Sequence, residues 1–467
     1  MTPNKLKSIW LALIVVIASA IGVTTAHAAA SYLLAYPKAG YETSSSVFTL
    51  KADNTSVDVV RYYSKYSYAH LAYQGTTTFT VSLISGTTIT SFDISPHSYG
   101  LNATAIKSGA NLTFSVPQVN SRYLLVRIST SSGALENLFI AADPQETNVP
   151  TIGGNVIAIT NSTYNADSTG SNLMTTTIQN AINDRSSAGG GTIYFTPGVY
   201  KISHNIALKS NVTLYLAAGA VLRGSSNSND YTWSTSGSQQ GACNFVINGN
   251  VLNVAFKGRG MIDANSTVLE VSGDSGPHRK GIISSSQSGS SRPNGIVIQD
   301  ITVKDATTWT LNIEDAQNVT VRNVKMFNDY DVIHNDGYDI CATDTATVDN
   351  CLAVTGDDCF CAKATSSNPL INVTYMNDVS YALHGAGTKV GDQASGTTSA
   401  IMFSNIDVVS GYRGMSISHD QGTASYSNIN FNNVRTETIH NIGTSGEFRT
   451  APFVFWTISG GDGGDAS

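Results

Sequence analysis

Three aspartates lie close together in a chain that carries few charges. Asp336 precedes the adjacent pair Asp357 and Asp358 within the stretch HNDGYDICATDTATVDNCLAVTGDDCF, although only 13% of the residues are charged. Carboxyl groups that share a site repel one another, so the pKa of at least one rises while another stays ionised. Such a cluster can supply both a proton donor and a base, as general acid and base catalysis requires.

Two other interpretations of these acids remain open from the residues alone. Carboxylates in a turn can simply be solvated, and three of them could also hold a calcium ion. Four of the five cysteines crowd the same stretch, at Cys341, Cys351, Cys359 and Cys361. The stretch offers no second pair of CxxC type and no histidine at metal-ligand spacing. We therefore interpret the cysteines as buried thiols or a local disulfide, and we predict no metal and no cofactor.

A sequence repeat explains how distant acids could meet. An Asn or Asp followed by an apolar residue recurs in short β segments at intervals of 23, 27, 28, 27 and 28 residues, at Asp300, Asn323, Asn350, Asp378, Asn405 and Asn433. This period predicts a parallel β-helix in which stacked Asn side chains form a ladder. A leucine-rich repeat is disfavoured because its leucine spacing is absent. Consecutive coils would place Asp336 and Asp357 at similar positions, about 4.8 Å apart.

The elements before the repeat differ in character. From Ala30 to about Ala142, alternating segments such as Phe79 to Leu83 predict short antiparallel strands. One helix is predicted over Met174 to Arg185, where it would cover the open end of the solenoid. We predict an all-β fold with a β-sandwich domain over residues 29–147, followed by a right-handed parallel β-helix over residues 150–467.

The first 28 residues have the pattern of a signal peptide. Lys5 and Lys7 precede an apolar run, and Ala26 and Ala28 suit signal peptidase. An uncleaved anchor is the alternative, but the run is shorter than the roughly 20 residues that span a membrane. We predict a secreted or periplasmic protein.

The charge pattern limits the partners. The net charge is -7 and no basic patch is present, which argues against nucleic acid and anionic membrane surfaces. We expect a monomer with a neutral or weakly charged partner.

Several motifs resemble those of the polygalacturonase-type glycoside hydrolases, family 28. The resemblance rests on NDG at Asn335 to Gly337, TGDDCF at Thr355 to Phe360, LHG at Leu383 to Gly385, and the upstream segment SRPNGIVIQDITVKDATTWTLNI. It covers roughly Ile152 to Thr438. The β-sandwich ahead of the β-helix is similar to the arrangement in dextranase and isopullulanase, family 49, which act on neutral α-glucans.

The resemblance implies hydrolysis of a glycosidic bond with inversion of configuration. Asp357 would protonate the leaving oxygen, while Asp336 and Asp358 would activate a water on the opposite face of the sugar. His384, which matches the family's histidine, would orient the acid. Candidate substrate-binding residues are Trp309, His334, Tyr338, Lys389 and Arg413.

One departure from the family pattern bears on the substrate. Polygalacturonases carry an Arg-Ile-Lys whose cations bind the uronate carboxylate, whereas this chain reads Ser416-Ile417-Ser418 in the corresponding region. Only Lys389 and Arg413 could compensate, so the loss favours a neutral polysaccharide. The alternatives are a polygalacturonase acting on pectin, a calcium-dependent polysaccharide lyase on the same scaffold and a non-catalytic glycan-binding β-helix.

Overall fold

A computed structural model describes residues 32–118, 120–233, 242–269, 280–419, 421–422, 425–440 and 450–457. The predicted signal peptide, residues 1–28, lies outside these ranges. Within them, no helix is both long enough and apolar enough to cross a bilayer.

The N-terminal part is a β-sandwich, as predicted. One sheet has the order β1-β5-β12-β10-β11, with β4 beside β5 and β7 beside β10, and the other has the order β3-β2-β6-β9-β8. Alternating residues of both sheets form a common core, such as Phe79 and Val81 with Leu124 and Val126. The strands are β1 Tyr32–Ala35, β2 Phe48–Ala52, β3 Thr55–Val57, β4 Val59–Tyr62, β5 Tyr66–Gln74, β6 Thr76–Leu83, β7 Ile89–Ser95, β8 Ile106–Ser108, β9 Asn111–Pro117, β10 Arg122–Thr130, β11 Gly133–Ala134 and β12 Asn137–Pro144.

The rest of the described chain is a parallel β-helix with three faces, which confirms the predicted fold. The first face contains β13 Val156–Ala158, β15 Gly191–Phe195, β18 Val212–Leu216, β21 Leu252–Gly258, β24 Asn294–Gln299, β27 Gln317–Arg322, β30 Asp344–Asp349 and β33 Leu370–Met376. The second face contains β14 Thr169–Leu173, β16 Gly198–Ile202, β19 Ala220–Gly224, β22 Met261–Asp263, β25 Thr302–Lys304, β28 Lys325–Phe327, β31 Leu352–Thr355 and β34 Val379–Ala382.

Two long strands, β36 Thr398–Ser410 and β39 Tyr426–Thr436, continue both of these faces. The third face contains β17 Ile206–Ala207, β20 Ala242–Asn248, β23 Lys280–Ser286, β26 Leu311–Glu314, β29 Tyr338–Cys341, β32 Phe360–Ala364, β35 Ala386–Ala394, β37 Arg413–His419 and β40 Ala451–Thr457, with β38 Gln421–Gly422 beside β35. Since the sandwich strands end at Pro144 and the β-helix strands begin at Val156, we propose the domain boundary at residues 147–150.

Asparagines turn the chain between the first and second faces. Asp300, Asn323, Asn350, Asn405 and Asn433 all have left-handed backbone conformations, which Asn and Asp tolerate better than other side chains. Their side chains bond from coil to coil, for example Asn433 Nδ2 to Asn405 Oδ1 at 3.2 Å. In one coil the predicted turn residue was wrong by one position. Asn377, not Asp378, takes the left-handed turn, while the buried carboxylate of Asp378 accepts a bond from the Cys351 amide.

Helix α1, Thr175–Ser187, confirms the predicted helix. Its Ile178, Ala181 and Ile182 are fully buried in the β-helix core beside the first coils. The helix thereby covers apolar surface that the first coil would otherwise expose. The described residues also contain three 3-10 turns, His97–Tyr99, Leu101–Ala103 and Ser228–Asp230.

The first sheet of the sandwich packs on the outer surface of the second face of the β-helix. Apolar residues of both parts, including Tyr66, Phe139, Phe327 and Tyr381, form one cluster. Polar contacts extend along the axis, from Tyr41 Oη on Asp263 Oδ2 at 2.6 Å to Ser98 Oγ on Asp407 Oδ2 at 2.8 Å.

One carboxylate lies at the centre of this contact. Asp143 of β12 is fully buried, and its Oδ2 lies 2.9 Å from Lys325 Nζ, 2.8 Å from Arg259 Nη1 and 2.7 Å from His70 Nε2. Burial opposes ionisation of Asp143, but the cations beside it hold its pKa well below the usual range.

Candidate active site

The three aspartates meet at the corner where the second face of the β-helix turns into the third. Tyr338 pairs with Phe360 in adjacent strands, so Asp336 and Asp358, each two residues earlier, occupy equivalent positions on successive coils. The amide of Gly337 donates to the Asp358 carbonyl at 2.8 Å. The coil interval is therefore 22 residues here. Our expectation that Asp357 stacks on Asp336 was wrong by one residue, because Asp357 belongs to the turn that precedes the strand.

Glycines allow the coils to approach each other at this corner. A Cβ on Gly385 would lie 2.2 Å from the carbonyl carbon of Asp357 and from the amide nitrogen of Asp358. A Cβ on Gly356 would lie 1.8 Å from the Val332 carbonyl oxygen. Neither position can hold a side chain without a shift of the backbone. The glycines of the TGDDCF and LHG motifs thus fix the acid pair between its two neighbouring coils.

Asp357 is the most accessible of the three acids. Its side chain is 24% exposed, against 4% for Asp336 and for Asp358. Its Oδ2 accepts a bond from the His334 amide at 2.9 Å, and its Oδ1 accepts one from the Asp358 amide at 2.8 Å. Burial and the neighbouring charge of Asp358 raise the pKa of Asp357, although Lys389, the His334 amide and Lys363 oppose this shift.

The pKa of Asp358 is shifted in the opposite direction. Its Oδ1 accepts a bond from the Ala386 amide at 2.6 Å, and its Oδ2 lies 2.7 Å from Lys389 Nζ. Burial would raise the pKa of Asp358, but the charges of Lys389 and Lys363 outweigh burial and lower it. Two adjacent carboxyl groups therefore differ in the direction of their pKa shifts.

Asp336 shares one ammonium group with a fourth acid. Lys363 Nζ lies 2.5 Å from Asp336 Oδ2 and 2.9 Å from Asp339 Oδ1, and all three side chains are buried. Burial raises the pKa values of both carboxyl groups, that of Asp339 to about 6, while these acids hold the pKa of Lys363 well above its ordinary value. One cation between two acids leaves this trio with excess negative charge.

The space between Asp336 and Asp358 suits a water molecule better than a metal ion. One carboxylate oxygen of each and the sulfur of Cys361 lie within 4.8 Å of one another. A water can hydrogen-bond two oxygens at that separation. A cation would have to compete with the ammonium groups of Lys363 and Lys389, and burial raises the pKa of the Cys361 thiol well above its usual value. This donor set therefore fits a metal poorly.

Three of the other predicted site residues lie around the acids. The His334 side chain is 38% exposed, with Nδ1 4.0 Å from Asp357 Oδ2. The His384 amide donates to the Gly356 carbonyl at 2.7 Å, which places this partly buried histidine one coil beyond Asp357. Trp309 stands two residues before Leu311, which pairs with Tyr338, and its ring lies 3.6 Å from Lys363 Nζ.

The remaining predicted residues have contacts that differ from those expected. Tyr338 is 1% exposed, stacks on Phe360 inside the β-helix, and its Oη lies 2.9 Å from the carbonyl oxygens of both Val324 and Leu352. It therefore faces the core and not the acid cluster. Lys389 is buried between Asp358 and Asp392, each 2.7 Å from its Nζ. Arg413 is also buried, near the Tyr412 ring, and its charge lowers the pKa of Asp358.

Sequence reasoning missed Lys363, Asp339 and Asp392. The alternation of inward and outward residues along the strands could have indicated them. Asp339, Cys361 and Lys389 pair in register on the outer side of the third face, and Lys363 follows Cys361 by two residues. Three charges on the outer side of adjacent strands, in a chain poor in charge, indicate a common site.

All five cysteines are described, and all are free thiols, so the alternative of a local disulfide is not realised.

Comparisons with known proteins bear on the family and the fold. The family model described as glycosyl hydrolases family 28 matches residues 199–444. No curated protein matches the chain. Among solved structures, an exopolygalacturonase from Thermotoga maritima has a TM-score of 0.50 at 15% identity, over 61% of this chain and 77% of its own. Dex49A from Penicillium minioluteum has a TM-score of 0.50 at 14% identity, over 90% of this chain and 79% of its own. At these identities the likeness concerns the fold alone.

Proposed function

Because the chain belongs to glycosyl hydrolase family 28 and is a glycoside hydrolase acting on polysaccharide, we propose that it cleaves a neutral polysaccharide by an inverting mechanism. In this mechanism Asp357 is the general acid, and Asp358 together with Asp336 activates the attacking water. An α-glucan is one candidate substrate. A second proposal, based on the pattern of residues 1–28, is that the enzyme is exported.

The different surroundings of Asp357 and Asp358 are the observation that carries the proposal, since Asp357 is partly exposed and Asp358 is buried against Lys389. A general acid must hold its proton, and a general base must be ionised at the same pH. Burial and the charge of Asp358 favour the protonated form of Asp357, while the ammonium of Lys389 favours the ionised form of Asp358. The greater exposure of Asp357 also suits a group that must reach the leaving oxygen of a glycan.

In this proposal Asp336 hydrogen-bonds the attacking water, while Asp358 supplies most of the negative charge that activates it. Its carboxylate oxygen lies within 4.8 Å of an Asp358 oxygen, a separation that one water can bridge. Asp358 then accepts the proton of that water as it attacks the anomeric carbon. An inverting enzyme needs room for this water between the acid and the base.

The charge balance of the site favours a neutral sugar. Lys363 lies against Asp336 and Asp339, and Lys389 lies against Asp358 and Asp392, so both ammonium groups already have carboxylate partners. A uronate carboxylate would add a further negative charge. Burying an unpaired carboxylate costs several kcal/mol (roughly 3–5).

The positions that would bind a uronate carry no charge. Ser416 pairs with Lys389 in register on the third face, and Ser418 follows it by two residues. Both serines are buried, and Lys389 is already bound to Asp358 and Asp392. A neutral hydroxyl-rich sugar therefore fits this groove better than polygalacturonate does.

The test is incubation with matched neutral and acidic polysaccharides. We expect new reducing ends from a neutral glucan, little release from polygalacturonate, and inverted anomeric configuration in the first product by proton NMR. Faster cleavage of polygalacturonate would favour the pectin-directed alternative.

The same assay separates the remaining alternatives. A lyase would give an unsaturated product that absorbs ultraviolet light, and chelators would inhibit it. A purely binding β-helix would release nothing from any polymer. Retained anomeric configuration would refute the inverting mechanism while leaving hydrolysis intact.

A further inference from the structure

A turn of the β-helix connects the sandwich to the acid cluster. Residues 328–337 join β28 on the second face to β29 on the third, and we call this segment the 328–337 turn. It carries His334 and Asp336 at one end and Asp329 and Asp331 near the other. The first half of the turn contacts the sandwich, and the second half contacts Asp357.

Lys65 of the sandwich forms ion pairs with this turn. Its Nζ lies 2.5 Å from Asp329 Oδ1 and 2.7 Å from Asp331 Oδ2, and its carbonyl accepts a bond from Tyr330 Oη at 2.9 Å. Asp329 also accepts the Asp331 amide at 2.9 Å, so one ammonium holds two acids that would otherwise repel each other.

The position of Lys65 is itself well defined. It ends the tight connection between β4 and β5, in which Tyr63 and Ser64 adopt left-handed conformations and the Lys65 amide bonds to the Tyr62 carbonyl at 2.8 Å. The next residue, Tyr66, stacks on Tyr330 and donates to the Asn328 carbonyl at 2.8 Å. The sandwich thus presents a fixed ammonium to the turn.

Hydrogen bonds connect the 328–337 turn to the acid pair. Asn335 Nδ2 donates to the Asp329 carbonyl at 2.7 Å, and its Oδ1 accepts bonds from the amides of Gly356 and Asp357 at 2.8 and 3.2 Å. The His334 amide donates to Asp357 Oδ2 at 2.9 Å. Three consecutive bonds therefore lead from Lys65 through Asp329 and Asn335 to the backbone of Asp357.

We propose that Lys65 of the N-terminal sandwich is a positioning residue for catalysis, which sets the orientation of Asp357 through the 328–337 turn. The inference rests on the proposed role of Asp357 as general acid. It assigns the sandwich a part in the reaction besides that of covering the β-helix. Without Lys65, the nearly buried carboxylate of Asp329 loses its counter-ion and repels Asp331.

Removal of Lys65 should shift the pKa of Asp357 in one direction. When the turn loosens, the bond from the His334 amide weakens, and this bond favours the ionised form of Asp357. Other charged or titratable groups also act on Asp357, namely Asp358, Lys389, Lys363, Asp336 and the His334 ring, whose Nδ1 lies 4.0 Å from Asp357 Oδ2. Lys65 forms its ion pairs with Asp329 and Asp331 and not with these groups. The pKa of Asp357 should therefore rise, and the enzyme should stay active to higher pH but turn over more slowly.

The experiment compares Lys65→Ala, Lys65→Arg and Arg61→Ala in the full-length enzyme. Arg61 is the matched control, because it forms an ion pair with Glu136 inside the sandwich at similar exposure, 29% against 25% for Lys65. We expect kcat of Lys65→Ala to fall about tenfold with little change in KM, and the high-pH limb of kcat/KM to move upward. Lys65→Arg should restore both, and Arg61→Ala should match the wild type.

Other outcomes would overturn the inference. If Lys65→Ala has a lower Tm but the kcat and pH profile of Arg61→Ala, Lys65 is structural only. Should Lys65→Ala fail to fold, Lys65→Gln, which keeps the chain length and a donor but no charge, must show the same pH shift. Asp357→Asn is assayed in parallel, because an active Asp357→Asn enzyme refutes the proposed function, whereas an inactive one combined with an unchanged Lys65→Ala profile refutes only this inference.

Discussion

Asp357 and Asp358 are consecutive, but their carboxylates bond to opposite neighbours along the β-helix axis. Asp357 accepts the amide of His334 on the preceding coil, whereas Asp358 accepts the amide of Ala386 on the following coil. The two side chains therefore diverge. Burial and the charge of Asp358 raise the pKa of Asp357, whereas the charges of Lys389 and Lys363, which act on both acids, are enough to lower the pKa of Asp358. In the proposed mechanism a single turn of the chain thus supplies both the acid and the base.

Replacement of Asp357 by Asn should reduce kcat by about 10²–10⁴-fold while oligosaccharide affinity is retained, because the proton donor is lost but the groove is not. Rates on the preferred polysaccharide and calorimetric binding of a product oligosaccharide measure the two effects. Asp344→Asn, on the same coil but on the first face, is the control and should be fully active. Equal activity of both variants would contradict the assignment.

The pH dependence of kcat/KM should be bell-shaped with an acidic optimum. Activity requires ionised Asp358, whose pKa lies below the ordinary 3.8, and protonated Asp357, whose pKa lies above it. The rate thus rises as the pH increases through the first pKa and falls as it increases through the second. Lys389→Met removes a cation that lowers the pKa values of both Asp358 and Asp357, so both limbs should move upward. The low-pH limb should move further, because Lys389 is bonded directly to Asp358. Lys389→Arg keeps the charge and should preserve that limb.

Gly385→Ala should disturb the acid pair without changing any polar group. The added Cβ would meet the backbone between Asp357 and Asp358 at 2.2 Å, so those atoms must move. A displacement of about 1 Å can cost about 10²-fold in rate. We expect such a loss in kcat, with unfolding free energy reduced by about 1–3 kcal/mol. Gly40→Ala is the control, since nothing lies within 4 Å of its Cβ position.

Asp143→Asn should destabilise the whole molecule. It removes the carboxylate between Lys325, Arg259 and His70. The buried Lys325 then loses its counter-ion and Arg259 keeps only Asp300, at a cost of about 3–5 kcal/mol. Denaturant unfolding at neutral pH measures the loss. Asp93→Asn, which breaks an exposed pair with His97, should cost less than about 1 kcal/mol.

The effect of Asp143 should also depend on pH. Its folded pKa is depressed, so its contribution is present above the ordinary carboxyl value of 3.8 and is lost as the pH falls toward the folded value. The difference between wild type and Asp143→Asn should therefore shrink in strong acid. A difference that stays constant across that range would argue against an ionised Asp143 in the folded protein.

The sequence predicts the repeating part of this molecule well because each coil obeys the same local rules. Asn at the bends and β-branched residues on the strands indicate the β-helix, and the motif acids come from adjacent coils. The sequence does not reveal how many residues each turn contains, so the predicted register between coils was wrong by one residue at Asp357 and again at Asp378. Tyr338 was also assigned wrongly, although it precedes Asp339 in one strand and the outward position of Asp339 implies that Tyr338 faces inward.

Contacts between the sandwich and the β-helix could not be predicted from the sequence, for a different reason. Lys65 and Asp329 are 264 residues apart, and nothing in either segment marks the other as its partner. Ion pairs of this kind depend on how two folded surfaces meet. The role of the sandwich therefore emerges only when both parts are seen together.

The long contact between sandwich and β-helix has a consequence for how the protein denatures. A solenoid whose repeats touch only their neighbours can fray coil by coil from an exposed end. Here a second body is bonded to coils from Asp263 through Asp329 to Asp407. When one of these coils opens, it also loses its bonds to the sandwich, which stays bonded to the other coils. The β-helix should therefore unfold in one cooperative transition and not coil by coil.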